Sequence, residues 1–245
     1  MAAPIADQTH VTALSPYQLH LFRHNGFLKL PNRLPKDTVE RLKDAIWADI
    51  KNEVEPVVRD PNGKIVRLSA LVERNPIFLE TATNPLVLDP LESLLGPNIE
   101  LLTNRHNHAT LRTASEYKDN MHRDVRQWTR TIFTVLFYLP ETTVENGCTV
   151  AVPGSHHFPG INGRLNDHEW TREVREQAVP IPMPEGGMLV IDSMIIHGVG
   201  QNKTPDTRIS LTMGYHSVDE LSEIRNPKRI VVRGEGLYSG NDQKY

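Results

Sequence analysis

Cysteine is almost absent from this chain of 245 residues, since Cys148 is its single cysteine. One cysteine excludes an intrachain disulfide, and proteins without disulfides are typical of reducing compartments. The first residues lack the basic segment and apolar stretch of a secretory signal, and no apolar run is long enough to span a bilayer. We therefore expect a cytoplasmic protein with no membrane partner.

An excess of positive charge is also missing. The chain has 27 Lys and Arg residues against 30 Asp and Glu residues, which gives a formal net charge of -3. The basic residues are scattered rather than arranged in a stripe, and this argues against nucleic acid as a partner. The expected partner is a small molecule. Nothing in the sequence determines the oligomeric state.

Two kinds of periodicity divide the chain, within what we expect to be one domain over residues 1–245. Residues 1–97 have helix-capping residues and apolar side chains at helical spacing, so this part is predicted to be largely helical. Residues 98–218 have short β-branched or aromatic segments bounded by Gly, Pro and Asn, which are typical of strands. Residues 219–245 are predicted to form a weak strand and a polar tail.

The many short strands predict a mainly β protein with flanking helices, built as a sandwich or as a jelly-roll barrel. The clearest segments are "IELLTNRHNHATLR", "TRTIFTVLFYLP", "GGMLVIDS" and "TRISLTMGYHSV". Only one helix-like stretch, "DHEWTREVREQ", interrupts them. The chemistry of the protein is therefore expected to lie on or between β-strands.

A histidine and an aspartate stand one residue apart, at His122 and Asp124, just before an apolar strand pattern. Residues two apart project from the same face of an extended chain, so these side chains can offer a nitrogen and an oxygen to one point. Two ligands make only half a metal site. The best third candidate is His197, which follows the buried strand "GGMLVIDS"; its alternative role is a core histidine bonded to backbone.

Two imidazoles and one carboxylate on one face of a metal form the arrangement of non-haem Fe(II) oxygenases, with open positions opposite. A 2-oxo acid can take two of these positions and dioxygen the third. The distal carboxylate of such an acid needs a cation, preferably a bidentate guanidinium. In "TRIS", Arg208 and Ser210 share one face of the next strand, and Arg208 meets this requirement.

Four motifs in a fixed order carry a resemblance to a known family. They are His122-x-Asp124, "ENGCTVAVPGSHHFPG" (145–160), "PEGGMLVIDSMIIHGVGQN" (184–202) and "TRISLTMGYH" (207–216). With these motifs the chain resembles the Fe(II)- and 2-oxoglutarate-dependent dioxygenases of the phytanoyl-CoA dioxygenase family. The resemblance implies a double-stranded β-helix, a cupin-like jelly roll with Fe(II) at one mouth. It also implies oxidative decarboxylation of 2-oxoglutarate, with O2, to succinate and CO2.

The resemblance carries roles over to individual residues. The implied iron ligands are His122, Asp124 and His197. The implied contacts of 2-oxoglutarate are Arg208 as the carboxylate anchor, assisted by Ser210, Thr149 and Asn104. Related halogenases lack a carboxylate at the position of Asp124, so we expect hydroxylation, desaturation or ring formation rather than halogenation.

The substrate is expected to be a small, polar metabolite or biosynthetic intermediate that is hydroxylated at an unactivated C–H bond. Specificity is expected to lie on three loops, residues 55–75, 111–120 and 156–178. The first loop carries four cations, which suit an anionic substrate but also an ordinary solvated loop: Arg59, Lys64, Arg67 and Arg74. Arg126 and Trp128 are further candidates for the pocket lining.

Two alternatives to a dioxygenase stay open at this point. One is a non-catalytic jelly-roll protein that binds a ligand, and the other is a cupin-type metal isomerase or epimerase. Cupins use a pair such as His106-x-His108 with a glutamate soon after, but Arg112 stands at that position, so we expect these histidines to face a cavity or solvent. The resemblance implies that the segment with His156 and His157 is a structural corner, so neither histidine is expected to bind iron.

Overall fold

The computed structural model describes residues 13–114, 120–125, 131–158, 169–218 and 228–236. The helices are α1 (Pro16–Asn25), α2 (Lys36–Lys51), α3 (Pro76–Ala82), α4 (Pro85–Leu95) and α5 (Glu169–Glu176). The strands are β1 (Phe27–Arg33), β2 (Val57–Arg59), β3 (Ile65–Ser69), β4 (Ile99–Arg112), β5 (Ile132–Tyr138), β6 (Thr149–Ala151), β7 (Val179–Ile181), β8 (Gly187–Asp192), β9 (His197–Val199), β10 (Arg208–Ser217) and β11 (Arg229–Arg233). The predicted fold class, mainly β with flanking helices, is confirmed.

Two antiparallel sheets form the β part of the structure. The larger sheet has the strand order β1-β8-β5-β10-β4-β3-β2, and β11 pairs with β4 outside this path. The smaller sheet has the order β7-β6-β9. Strands that are distant in sequence are thus neighbours in each sheet, as in the double-stranded β-helix that the resemblance implies.

The larger sheet has one apolar face and one polar face, which the alternation along β10 explains. Ile209, Leu211, Met213 and Tyr215 belong to the core that the sheet shares with helices α1 to α4. The alternate residues of β10, beginning with its first residue, point to the opposite face, because successive side chains of a strand alternate. Arg208 is among these, and it is buried. The polar positions of β10 therefore face the space between the two sheets.

The space between the sheets contains a second, smaller apolar cluster. Tyr138 and Leu189 of the larger sheet pack there with Ala151 and Ile181 of the smaller sheet. A hydrogen bond of 2.6 Å between Tyr138 Oη and Thr149 Oγ1 links the two sheets directly. The space between the sheets therefore has an apolar part and a polar part. The predicted site residues lie in or at the edge of this space.

The helices form as their sequences predict. Helix α1 begins with a capping box in which Ser15 and Gln18 bond each other's backbone N–H, and it ends at Gly26, whose φ of 79° suits glycine. Helix α2 buries Val39, Leu42 and Ile46 in the core that it shares with the larger sheet. Among the described residues, no helix is long and apolar enough to cross a membrane.

One expectation changes in the light of the fold, and another agrees with it. Residues 55–75 are not a loop, because β2 and β3 form a hairpin that continues the larger sheet through pairing with β4. The strand predicted near the C-terminus is present as β11, which pairs with β4. Arg126, Trp128 and parts of the other two predicted loops lie outside the described residues. The division of the chain into one domain with three parts stays a prediction.

Candidate metal centre

The three predicted metal ligands are held by backbone pairing at the edge of the smaller sheet. His122 and His197 form a two-bond antiparallel bridge, with N···O distances of 2.8 Å and 3.0 Å. The N–H of Asp124 donates to the carbonyl oxygen of Ser193 at 3.0 Å. The His-x-Asp segment therefore lies alongside the chain that leads into β9, and all three side chains start from neighbouring backbone.

The donor atoms of these side chains converge. One atom from each of His122, Asp124 and His197 lies within 4.8 Å of the other two. His122 Nε2 is 3.4 Å from Asp124 Oδ1, and His197 Nε2 is 3.8 Å from Asp124 Oδ2. Metal–ligand bonds of about 2 Å fit between donors at such separations. The arrangement is that of a facial two-histidine, one-carboxylate site.

Both imidazoles are oriented by a backbone carbonyl two residues earlier. His122 Nδ1 donates to the carbonyl oxygen of Asn120 at 2.7 Å, and His197 Nδ1 donates to that of Ile195 at 3.1 Å. A proton on Nδ1 leaves Nε2 with a free lone pair, which is the form that binds a metal. The structure thus selects the same tautomer for both histidines, with Nε2 directed at Asp124.

The charges of the cluster suit a cation. Burial alone would raise the pKa of the Asp124 carboxyl, but the imidazoles of His197, His122 and His106 outweigh it and hold the pKa well below its usual range. Burial lowers the pKa of His197, whereas in the metal-free protein a hydrogen bond from protonated Nε2 to Asp124 raises the pKa of His122. Asp124 is therefore a carboxylate at neutral pH, and a bound cation would neutralise a charge that is largely removed from water.

Asn120, which the sequence reasoning did not single out, braces the His-x-Asp segment. Its side chain pairs with the backbone of Val199 like a strand residue: Nδ2 donates to the carbonyl oxygen at 3.0 Å, and Oδ1 accepts from the N–H at 2.7 Å. This approach requires Gly198, because a Cβ there would lie 2.5 Å from Asn120 Oδ1. Asn120 and Gly198 together fix the distance between the two halves of the site.

Arg123 and the "PGSHH" corner support the site from behind. The Arg123 side chain is buried and donates to the carbonyl oxygens of Ser155 and Phe158, the latter at 2.8 Å. Ser155 Oγ in turn accepts from the N–H of Ile196 at 2.8 Å. Nε2 of both His156 and His157 lies 3.1 Å from the carbonyl oxygen of Arg23, so these histidines hold the corner to α1.

Arg208 lies in the interior with an incomplete set of partners. Its side chain donates through Nη1 to the carbonyl oxygen of Gly147, while its buried Nε has no acceptor among the described residues. Ser210, on the same face of β10, pairs in register with Tyr138, whose hydroxyl bonds Thr149. A buried guanidinium with a spare donor, beside three hydroxyl groups, is suited to bind a carboxylate.

The register of the smaller sheet relates this polar group to the triad. Ala151 pairs with His197, and Thr149 pairs with Val199 two residues further along. At about 3.3 Å per residue, Thr149 is roughly 7 Å along the strand from the level of His197. This separation is comparable to the length of a five-carbon dicarboxylic acid.

His106, which was expected to face a cavity or solvent, approaches the triad from a bulge in β4, and the sequence did not predict its contact with Asp124. The register of β4 against β10 shifts by several residues between Asn107 and Leu102. Within this bulge His106 has a left-handed φ of 49° and is buried, with Nδ1 3.7 Å from Asp124 Oδ2. Asn104, the predicted cosubstrate contact, is exposed in the same bulge. Its role stays a prediction without a supporting contact.

Comparison with known proteins places these observations in a family. The family model for phytanoyl-CoA dioxygenase (PhyH) matches residues 22–210. Dioxygenase af480 of Aspergillus fumigatus is 28% identical over 231 residues, which cover 85% of this chain and 68% of that protein.

Solved structures show the same fold. EctD from S. alaskensis with bound Fe has a TM-score of 0.75 at 19% identity, over 94% of this chain and 90% of that one. EctD with 2-oxoglutarate and 5-hydroxyectoine has a TM-score of 0.74 at 20% identity, over 87% and 80%. The chain thus belongs to the phytanoyl-CoA dioxygenase family of Fe(II)- and 2-oxoglutarate-dependent dioxygenases.

Proposed function

We propose that this protein hydroxylates an unactivated C–H bond of a small, polar metabolite, with His122, Asp124 and His197 as its iron ligands. In this proposal Arg208 anchors the distal carboxylate of 2-oxoglutarate, and Ser210 and Thr149 assist it. The observation that carries the proposal is the convergence of the three donor atoms within 4.8 Å, in the same interior as a buried guanidinium with a spare donor.

The donor set fits Fe(II). Two neutral imidazoles and one carboxylate reduce the positive charge of the metal by one unit and leave one face for other ligands. When bound, iron with 2-oxoglutarate and O2 would supply the power to oxidise a C–H bond, while the keto acid becomes succinate and CO2. Asp124 also favours hydroxylation over halogenation, because its carboxylate fills the position that a halide would need.

The side chains of the protein would control geometry rather than carry out the oxidation. The carbonyl oxygens of Asn120 and Ile195 hold the two imidazoles in one tautomer. Arg208 would bind the distal carboxylate of the cosubstrate through its free Nε and so fix the depth at which the keto acid lies. Holding reactants in one geometry is a large part of what a protein contributes to such a reaction.

Several features support a small substrate and a cytoplasmic location. The similar EctD structure contains 5-hydroxyectoine, a small polar solute. The polar interior between the sheets is bounded by the compact apolar cluster around Tyr138, Leu189 and Ile191. The single cysteine, Cys148, is buried and free, as suits a reducing compartment.

Anaerobic spectroscopy tests the proposed ligands before any substrate is known. The protein is titrated with Fe(II) and 2-oxoglutarate, and a weak visible charge-transfer band that requires both additions is expected. His122→Ala and Asp124→Ala should abolish the band. His20→Ala is the matched control, because His20 is exposed on α1, away from the residues that build the site.

The same titration separates the proposal from its alternatives. A band that persists in both His122→Ala and Asp124→Ala would move the metal site elsewhere. A wild-type protein that binds metal but shows no band with 2-oxoglutarate would favour a cupin-type isomerase or a binding protein. Succinate formation that depends on O2 would complete the case for the dioxygenase.

A further inference from the structure

Residues 55–75 carry four cations, three on the hairpin of β2 and β3 and a fourth, Arg74, just after it, and the structure separates them by their partners. Arg74 is nearly inaccessible and pairs with Asp49 at 3.0 Å. Arg59 lies 3.5 Å from Glu53 and 3.9 Å from Glu55. Lys64 is exposed at the turn. These three are accounted for as structural or solvated charges.

Arg67 is different, because it lies partly buried without an anion. Its one hydrogen bond joins Nη2 to His108 Nδ1 at 3.1 Å, and its buried Nε has no acceptor among the described residues. No Asp or Glu in the described part of the chain lies within 4.0 Å of its guanidinium, and burial lowers its pKa. A partly desolvated guanidinium with free donors is costly unless something else pairs with it.

His108 holds this guanidinium in place and presents a donor of its own. A guanidinium can only donate, so His108 Nδ1 must be the acceptor and Nε2 must carry the imidazole proton. Burial lowers the pKa of His108 to about 3, in keeping with a neutral ring. Nε2–H has no acceptor among the described residues. The pair Arg67–His108 thus offers several N–H donors and no acceptor.

The pair lies on the polar face of the larger sheet, near the metal centre but apart from Arg208. Arg67 pairs in register with Thr110, and Thr110 with Ser210, so two strand spacings of about 4.8 Å separate Arg67 from the strand of Arg208. The positive charge of Arg67 also reaches His106, which lies beside Asp124. One carboxylate of 2-oxoglutarate at Arg208 would leave Arg67 free.

We propose that Arg67 and His108 bind a carboxylate group of the substrate that is hydroxylated, as distinct from 2-oxoglutarate. The enzyme would then oxidise a small carboxylic acid. This inference rests on the proposed function, since it assigns a substrate class to the same pocket. The guanidinium of Arg67 donates to the two carboxylate oxygens. Its hydrogen bond to His108 fixes the plane of the guanidinium. The target C–H bond then lies between this anchor and the triad.

The substrate class is tested with a panel in which each acid is matched to its primary amide. The probes are L-phenylalanine with L-phenylalaninamide, benzoate with benzamide, and decanoate with decanamide, each assayed for stimulated succinate release by the iron-loaded enzyme. Stimulation by acids but not by their amides supports the inference. Equal or greater stimulation by the amides overturns it.

Variants then assign the effect to Arg67. With a stimulating acid, Arg67→Gln should raise the KM for that acid about tenfold or more and change the KM for 2-oxoglutarate by less than about twofold. Arg67→Lys should restore part of the affinity. Lys64→Gln, a matched charge loss on the same hairpin, should behave as wild type. A rise confined to the KM for 2-oxoglutarate would assign Arg67 to the cosubstrate and overturn the inference.

The anaerobic charge-transfer band with Fe(II) and 2-oxoglutarate distinguishes a failure of this inference from a failure of the proposed function. Arg67→Gln should retain the band, because neither the metal ligands nor Arg208 is changed. A band that is missing in the wild type would count against the proposed function itself. A band that is present in the wild type and lost in Arg67→Gln would overturn the substrate assignment alone.

Discussion

The backbones of His122 and His197 are hydrogen-bonded to each other in both directions. Two ligands from distant parts of the chain therefore occupy directly opposed positions of an antiparallel bridge. Such pairs have Cβ atoms about 5 Å apart, and the two rings lie 4.5 Å apart between centroids. The distance between the imidazoles is thus set by strand pairing, and whatever disturbs that pairing should disturb metal binding.

Replacing Asn120 tests this dependence without removing a ligand. Asn120→Ala removes both side-chain bonds to Val199 and leaves partly buried backbone groups unpaired. Because supporting contacts of this kind typically change metal affinity by about 10- to 100-fold, we expect weaker binding of Fe(II) by about tenfold. Calorimetric titration measures the effect. Asn62→Ala, in an exposed turn, is the control, and equal affinities in the two variants would contradict the prediction.

Arg208 should control the affinity for 2-oxoglutarate rather than that for iron. Arg208→Ala removes a buried guanidinium whose free Nε is the proposed donor to the cosubstrate. A charge-assisted hydrogen bond is worth about 1.5–3 kcal/mol, so the KM for 2-oxoglutarate should rise by roughly 10- to 100-fold. Iron binding without 2-oxoglutarate should be unchanged. An unchanged KM would place the carboxylate anchor elsewhere.

Four site residues could be identified from their spacing along a single strand or extended segment. His122 and Asp124 stand two apart on an extended segment, and Arg208 and Ser210 share the parity of one strand. Both relationships depend only on the alternation of side chains along a strand. The structure places all four in the interior or at its edge, as expected. Their individual roles stay proposals that the variants above test.

The contacts that the sequence did not predict depend on register between distant strands. Tyr138 reaches Thr149 only because β5 and β6 lie in facing sheets. His106 reaches Asp124 only through the bulge in β4, where Gly214 leaves room: a Cβ there would lie 2.9 Å from His106 Cβ. The resemblance suggested Asn104 as the cosubstrate contact, and the local pattern contains no signal for a register shift of several residues in β4.

The hairpin at residues 55–75 is a miss of another kind, because its signal was present. The segment "VVRDPNGKIVRLS" has β-branched runs on either side of a turn that contains Asn-Gly, which is a strong hairpin pattern. Its charges favoured a solvated loop instead. In the structure three of the four cations in residues 55–75 have partners or face solvent, so only Arg67 of these four is left for a ligand among the described residues.

The corner behind the metal centre should contribute mainly to stability. Ser155→Ala leaves the buried N–H of Ile196 without its acceptor, which typically costs about 1–3 kcal/mol. We expect the free energy of unfolding to fall by that amount in urea denaturation. Because Fe(II) binding stabilises the folded state of both proteins, the difference between them should persist, or grow if the neighbouring ligand His197 is displaced, when Fe(II) is bound. A variant as stable as the wild type would show that this bond contributes little.

Acid should destabilise the metal-free protein through His156, whose ring packs against Gly26. Burial and the neighbouring His157 lower the pKa of folded His156 to about 4, from an ordinary value of 6.5. Between pH 6.5 and about pH 4, His156 is therefore protonated in the unfolded chain but mostly neutral in the folded chain. The unfolded state is favoured increasingly over this interval, so the free energy of unfolding should fall as pH decreases from 6.5 to 4.

His156→Gln isolates this contribution. At pH 7.5 His156 is neutral in both states, and the variant should differ from the wild type only by the change in packing and hydrogen bonding. Between pH 6.5 and 4 the loss of stability should be shallower in the variant, measured by urea unfolding at several pH values. The variant should still lose some stability as the pH falls. Burial also lowers the pKa of His108, so protonation of His108 favours the unfolded state in the same way. An identical slope in both proteins would show that His156 is protonated equally in the folded and unfolded chains, against the packing that the structure gives it.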